Sequence, residues 1–92
     1  MNNMNMKNVM RRKDLNIRKI GDQFYLVALD ACYEVNPIGA TIVNVLGQDL
    51  TIEELSSKLA VKYENENVAQ VIRDVYAFIL FLQEEELITL EQ

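Results

Sequence analysis

The chain has 92 residues, one cysteine (Cys32), no histidine and a net charge of −5, which bounds it to one domain with a modest core. Without histidine, Ser–His and Cys–His catalysis lack their base, a structural zinc site lacks its usual ligands, and the single cysteine cannot close an internal disulfide. No run of about 18 apolar residues is present to span a bilayer, and no apolar segment follows Lys7, Arg11, Arg12 and Lys13 as a signal peptide requires, so a cytoplasmic, non-membrane protein is expected.

Residues 1–13 hold all four methionines and several asparagines without periodicity, and read as a disordered basic tail, the alternative being a basic arm that touches a partner or folds back onto a sheet edge. The folded domain is expected over residues 14–92. Leu15, Ile17 and Ile20 precede Gly21-Asp22, a turn signal. Residues 23–29, rich in aromatic and branched side chains, predict a strand. Asp30-Ala31 then turns into residues 32–35, where alternation sets Tyr33 and Val35 on one face. Three such strands form a small antiparallel meander that another element must cover.

The remainder reads as helix. Asn36-Pro37 is an N-cap followed by proline at the first helical position. Ile38, Ile42, Val45 and Leu46 make one stripe, and Gly47 is the expected stop. Thr51 and Glu54 form a capping box ahead of a second helix whose apolar face is Ile52, Leu55, Leu59 and Tyr63. Asn67 and Gln70, in the pattern of a second capping box, open a third helix to about Glu85, and residues 87–90 are a short apolar tail, a strand or a cover for a helix. Three strands followed by three helices is an α+β pattern, winged helix-turn-helix-like in its order.

The third helix is broader in apolar surface than one docking face needs. Val68, Val71, Ile72, Val75, Ile79 and Leu82 form its central stripe. Tyr76 and Leu80 lie on one flank, Phe78 and Phe81 on the other. Surplus apolar surface on a small domain marks a binding face, a homodimer contact or a surface covered by the tail. The third strand has a potential open edge, which can accept an extended peptide. Glu34, in the middle of that strand, is a blocking charge, a contact for a basic ligand residue or a solvated side chain.

Charge argues against nucleic acid. Residues 1–20 carry six Lys/Arg against one acid, residues 21–65 two against seven, and residues 66–92 one against six. The body would repel a phosphate backbone, and the longest helix lacks the basic, polar face of a recognition helix. Cys32 has no base or cation near it in sequence and reads as an inert thiol. Glu84, Glu85 and Glu86 point in different directions on a helix and do not form a metal cluster. No catalytic residue, cofactor or metal is expected.

Three stretches, in order, resemble the PqqD-like family. The first is Tyr33, Val35, Asn36 and Gly39-Ala40 followed by Ile42; the second is Leu46-Gly47 with Thr51, Glu54 and Leu55; the third is Val71, Asp74-Val75, Phe78-Ile79 and Leu82, closing at Leu87-Ile88. The resemblance covers roughly residues 15–90. It departs at Val43, where many members have Trp, and in the final turn, Glu84-Glu85-Glu86-Leu87, which lacks the Gly often found before the last aliphatics. The resemblance implies a recognition element for ribosomally synthesised, post-translationally modified peptides (RiPPs). Such a domain binds a precursor's leader as an added strand and delivers it to a maturation enzyme: a leader peptidase, a cyclase or a radical SAM enzyme. Lasso peptide, pyrroloquinoline quinone (PQQ) and radical-SAM pathways use domains of this kind. Carried over, the leader-binding residues are Cys32, Tyr33, Glu34 and Val35 on the strand and Ile72, Arg73, Tyr76 and Leu80 on the helix, with Phe78 and Phe81 on the opposite flank. A monomer or weak homodimer is expected. The alternatives are a homodimeric assembly domain without a peptide ligand and a winged-helix DNA-binding protein.

Overall fold

A computed structural model describes residues 4–91. Its element order is a 3-10 turn at Met6–Asn8, β1 (Val9–Arg11), β2 (Asn16–Ile20), β3 (Gln23–Ala28), β4 (Ala31–Val35), α1 (Pro37–Asn44), α2 (Ile52–Lys62), α3 (Val68–Glu84) and β5 (Ile88–Leu90). The strands β2, β3 and β4 form an antiparallel sheet in that order, and β1 pairs antiparallel with β5 in a second, two-stranded sheet. The α+β class and the strand-then-helix order agree with the sequence reading.

Each helix start follows from its cap. The Asn36 side chain accepts from the Gly39 N–H at 2.7 Å, and Pro37 occupies the first turn. Thr51 and Glu54 complete the reciprocal capping box, with bonds of 3.1 and 3.0 Å. At α3 only half of the expected box forms. Asn67 accepts from the Gln70 N–H, but the Asn67 N–H donates to Asn65 and the Gln70 side chain donates to Asp74. The helix α1 ends at Asn44, short of the predicted stop, and Val45 and Leu46 continue as tighter turns before Gly47 at φ 89°. That left-handed backbone suits glycine.

One core joins all elements. Leu26 from the sheet, Ile42 and Val43 from α1, Ile52, Leu55 and Leu59 from α2, and Val75, Ile79 and Leu82 from α3 are buried together.

The disordered-tail reading is corrected for residues 4–13; residues 1–3 lie outside the described part. Met6 and Val9 are 0 % and 1 % exposed, inside the core. The segment is also tied by backbone bonds: Met6 N–H donates to Leu50, Gly47 N–H to Met6, and Ile52 N–H to Met4. Strand β1 then aligns Val9, Met10 and Arg11 with Leu90, Thr89 and Ile88. The apolar tail at residues 87–90 is therefore a strand whose partner is the N-terminal segment. Periodicity does not reveal the strand in the N-terminal segment, because only Met6 and Val9, three positions apart among asparagines and basic residues, are fully buried there.

Candidate functional site: the open edge of strand β4 and the flank of helix α3

Strand β4 lies at the rim of its sheet, with β3 on one side and no strand on the other among the described residues. The β3–β4 turn has two residues, Leu29 and Asp30, so the closing pair Ala28–Ala31 is a hydrogen-bonded one. Hydrogen-bonded pairs recur every second residue, which assigns Leu26–Tyr33 and Phe24–Val35 to the same type. The backbone N–H and C=O groups of Ala31, Tyr33 and Val35 thus point to β3. Those of Cys32 and Glu34 point out of the sheet.

Side chains divide by the same alternation. Tyr33 and Val35 are half-buried on the helix side of the sheet, and Cys32 and Glu34 are exposed on the other face. Tyr33 meets Phe81 edge to face, with ring centroids 5.3 Å apart, and Phe81 stacks on Phe78 at 6.1 Å. The Tyr33 hydroxyl donates to a Glu85 carboxylate oxygen. That bond, and then desolvation, raise the Tyr33 pKa above its ordinary value. The Phe78 ring lies so close to Gly39 that a Cβ there would come within 3.2 Å of it. Glycine at position 39 is what lets α3 seat its Phe78 against α1.

The flank of α3 beside β4 is therefore Phe78, Phe81 and Glu85. This corrects the expectation that Ile72, Arg73, Tyr76 and Leu80 wall the groove with the strand. On a helix of 100° per residue, Tyr76 and Leu80 lie on the far side of the Val75–Ile79 stripe from Phe81. Ile72 and Tyr76 are half-buried against the core, whereas Arg73 is exposed and Leu80 is 54 % exposed. Arg73 donates to Gln70 at 2.9 Å. Of the strand residues, Tyr33 and Val35 face the groove with their side chains, and Cys32 and Glu34 front it with their backbones.

Phe78 also lines a cleft of about 220 Å³ between the start of α1 and α3. Ile38, Ile42, Val71, Val75 and Phe78 line its floor, and Asn36, Asn65 and Asp74 its rim.

Arg12 holds the end of the strand. Its guanidinium contacts Asp14 at 2.6 Å and 2.7 Å and Asp30, in the β3–β4 turn, at 2.6 Å. Its backbone N–H donates to Leu87 O at 3.0 Å. Asp14 in turn accepts the Leu29 N–H at 2.9 Å. The Arg12 hydrogen bonds hold the Asp14 and Asp30 carboxyls below the usual carboxylate range. From the sequence, Arg12 is only one of a run of basic residues, because its partners Asp30 and Leu87 are distant in the chain. No grouping of His, Cys, Asp and Glu suited to a metal ion occurs among the described residues, and no helix among them is long and apolar enough to cross a membrane.

Two solved structures share this architecture. The PqqD part of Methylobacterium extorquens PqqCD, described as a functional, stand-alone RiPP recognition element, superposes with a TM-score of 0.75 at 11 % identity, covering 88 % of this chain and 87 % of that one. TbiB1, solved in complex with the TbiA(β) leader peptide, gives a TM-score of 0.69 at 21 % identity over 86 % of this chain and 93 % of that one. Among curated proteins none matches. At these identities the neighbours speak for the fold. The sequence itself matches the family model of coenzyme PQQ synthesis protein D (PqqD) over residues 23–88, a span that includes β3, β4 and all three helices, and the chain belongs to the PqqD family.

Proposed function

We propose that this protein is a non-catalytic binding module that captures the leader peptide of a ribosomally synthesised precursor and delivers it to a maturation enzyme. The observation that carries this reading is the unpaired backbone of Cys32 and Glu34 beside the Phe78–Phe81 face. An extended peptide adds there as a fourth strand. Backbone hydrogen bonds supply affinity, and the side chains directed at α3 supply selectivity. Membership of the PqqD family and the structural neighbour TbiB1, solved with a leader peptide, support a leader peptide as the ligand. The binding residues on the strand are Cys32, Tyr33, Glu34 and Val35. On the helix they are Phe78 and Phe81, in place of Ile72, Arg73, Tyr76 and Leu80. The enzyme partner is a leader peptidase, a cyclase or a radical SAM enzyme.

The test is a calorimetric or anisotropy titration with leader peptides of precursors encoded beside the gene. Micromolar or tighter binding, with amide shifts confined to residues 32–35 and the Phe78–Phe81 side of α3, is the expected result. No binding to any of these leaders, together with a mass that rises with concentration, would replace this reading with that of an assembly domain.

A further inference from the structure

The cleft between α1 and α3 has a mixed character that narrows the ligand. Its floor is aliphatic and aromatic, with Ile38 and Phe78 its half-buried members, and the exposed Asp74 stands at its rim. Asp74 Oδ1 accepts from the Gln70 side chain at 2.8 Å. Among the described residues no lysine or arginine pairs with this carboxylate; the adjacent Arg73 is turned to Gln70 instead. The other rim residues, Asn36 and Asn65, present side-chain oxygens that already accept one backbone N–H each and keep a second lone pair. The rim is thus rich in acceptors, over a floor that favours carbon.

An apolar side chain would fit the floor but would strip water from Asp74 without pairing it, which is unfavourable. A lysine or arginine satisfies both parts, its methylene stem on Ile38 and Phe78 and its charged head at Asp74. Position agrees with chemistry. Val35 ends β4 next to Asn36, and a residue directly opposite Val35 on an added strand would have its Cβ about 5 Å away on the same face. That face carries Tyr33, which packs on Phe81, and Phe81 stacks on Phe78 of the cleft lining. We infer that the α1–α3 cleft is a side-chain pocket for a cationic residue of the bound peptide, so that the ligand carries a lysine or arginine at the position opposite Val35. This inference rests on the strand-addition reading above.

A phage-displayed library of random 12-residue peptides, panned on the full chain, tests both. Selected sequences are then synthesised and titrated by anisotropy against the native protein and Asp74→Asn. Asp74 is exposed, and circular dichroism melting verifies that the variant folds. The expected outcome is enrichment of Lys or Arg at one position of an extended motif. Replacing that residue by norleucine should weaken binding to the native protein roughly tenfold, the scale of a charge-assisted hydrogen bond, and by less than about twofold for Asp74→Asn. Peptides that shift the amides of residues 32–35 but show no cationic preference, or the same preference for Asp74→Asn, would overturn the pocket and leave strand addition standing. Selected peptides that leave those amides unmoved would overturn the reading beneath it, and the pocket with it.

Discussion

The assignment of outward and inward backbone groups on β4 is testable with proline. Glu34→Pro removes an N–H that, among the described residues, no neighbouring strand takes. Proline is tolerated on edge strands where the lost N–H faces solvent, and its φ suits extended backbone. The free protein should therefore melt close to the native chain. Peptide capture should suffer, because one strand-to-strand hydrogen bond worth about 0.5–1.5 kcal/mol disappears. That alone is a roughly 2- to 12-fold loss of affinity, and the ring Cδ adds steric exclusion of the incoming strand.

Tyr33→Pro makes the opposite comparison. The Tyr33 N–H belongs to the hydrogen-bonded pair with Leu26, whose side chain is fully buried. Its removal leaves a ladder carbonyl unpaired, a cost of about 1–3 kcal/mol beyond that of Tyr33→Ala, which serves as the reference for the lost ring. Urea denaturation measures the free proteins, and anisotropy with any peptide that binds measures capture. Equal destabilisation by the two prolines would refute the alternation deduced from the two-residue turn. Native affinity in Glu34→Pro would refute addition at this edge.

The remaining predictions concern the helix flank, the N-terminal segment and the charge network. Phe81→Ala should weaken peptide binding by roughly 1–3 kcal/mol, as truncation of an aromatic anchor does, whereas Leu80→Ala, on the opposite flank, should leave it unchanged; anisotropy titrations that reverse this order would move the groove to the Tyr76 side. Met6→Ala should cost about 2–5 kcal/mol in urea denaturation, the range for emptying a buried methionine site, and an unchanged midpoint would return residues 4–13 to a dispensable tail. Arg12→Gln should lower stability at neutral pH, by a margin that narrows in acid. The Asp14 and Asp30 carboxyls titrate below their unfolded values, near 4, so their contribution is complete above about pH 4 and fades as pH falls through the lower folded values. The gap between the melting curves of the two proteins should narrow steadily as pH falls from about 5 to about 2, and a constant gap would show that Arg12 acts through packing alone.

The parts of the fold that were legible in the sequence are those specified by neighbours in the chain. The caps at Asn36, Thr51 and Asn67, the turn at Gly21-Asp22 and the alternation at Tyr33 and Val35 are local devices, and each occurs where its residues stand. The sheet formed by Val9–Arg11 and Ile88–Leu90 is not local. Its strands are three residues long, and their partners lie about 80 positions apart, so neither segment carries enough repeats to show a period. The burial of Met6 depends on the α1–α2 connection that receives it, through Leu50 and Gly47. Nothing adjacent to Met6 encodes that partner.

The choice between the two flanks of α3 failed for a related reason. A helical wheel gives the width of an apolar arc but not which neighbour meets each side. The apolar residues alone did not decide between Tyr76 and Leu80 on one flank and Phe78 and Phe81 on the other. A discriminating signal was present, though in α1 rather than α3. Gly39 sits in the first turn of a short helix, where glycine is a poorer helix former than alanine, and its missing side chain is the space into which the Phe78 ring packs. A glycine placed against helix propensity requires a close neighbour, and an aromatic ring is the partner with most to gain from the flat surface it leaves. Pairing Gly39 with Phe78 orients α3 about its axis and carries Phe81 round to Tyr33 on β4. The groove is thus set by one helix–helix contact, and the strand edge acquires its apolar wall as a consequence of that contact rather than from any residue of the strand.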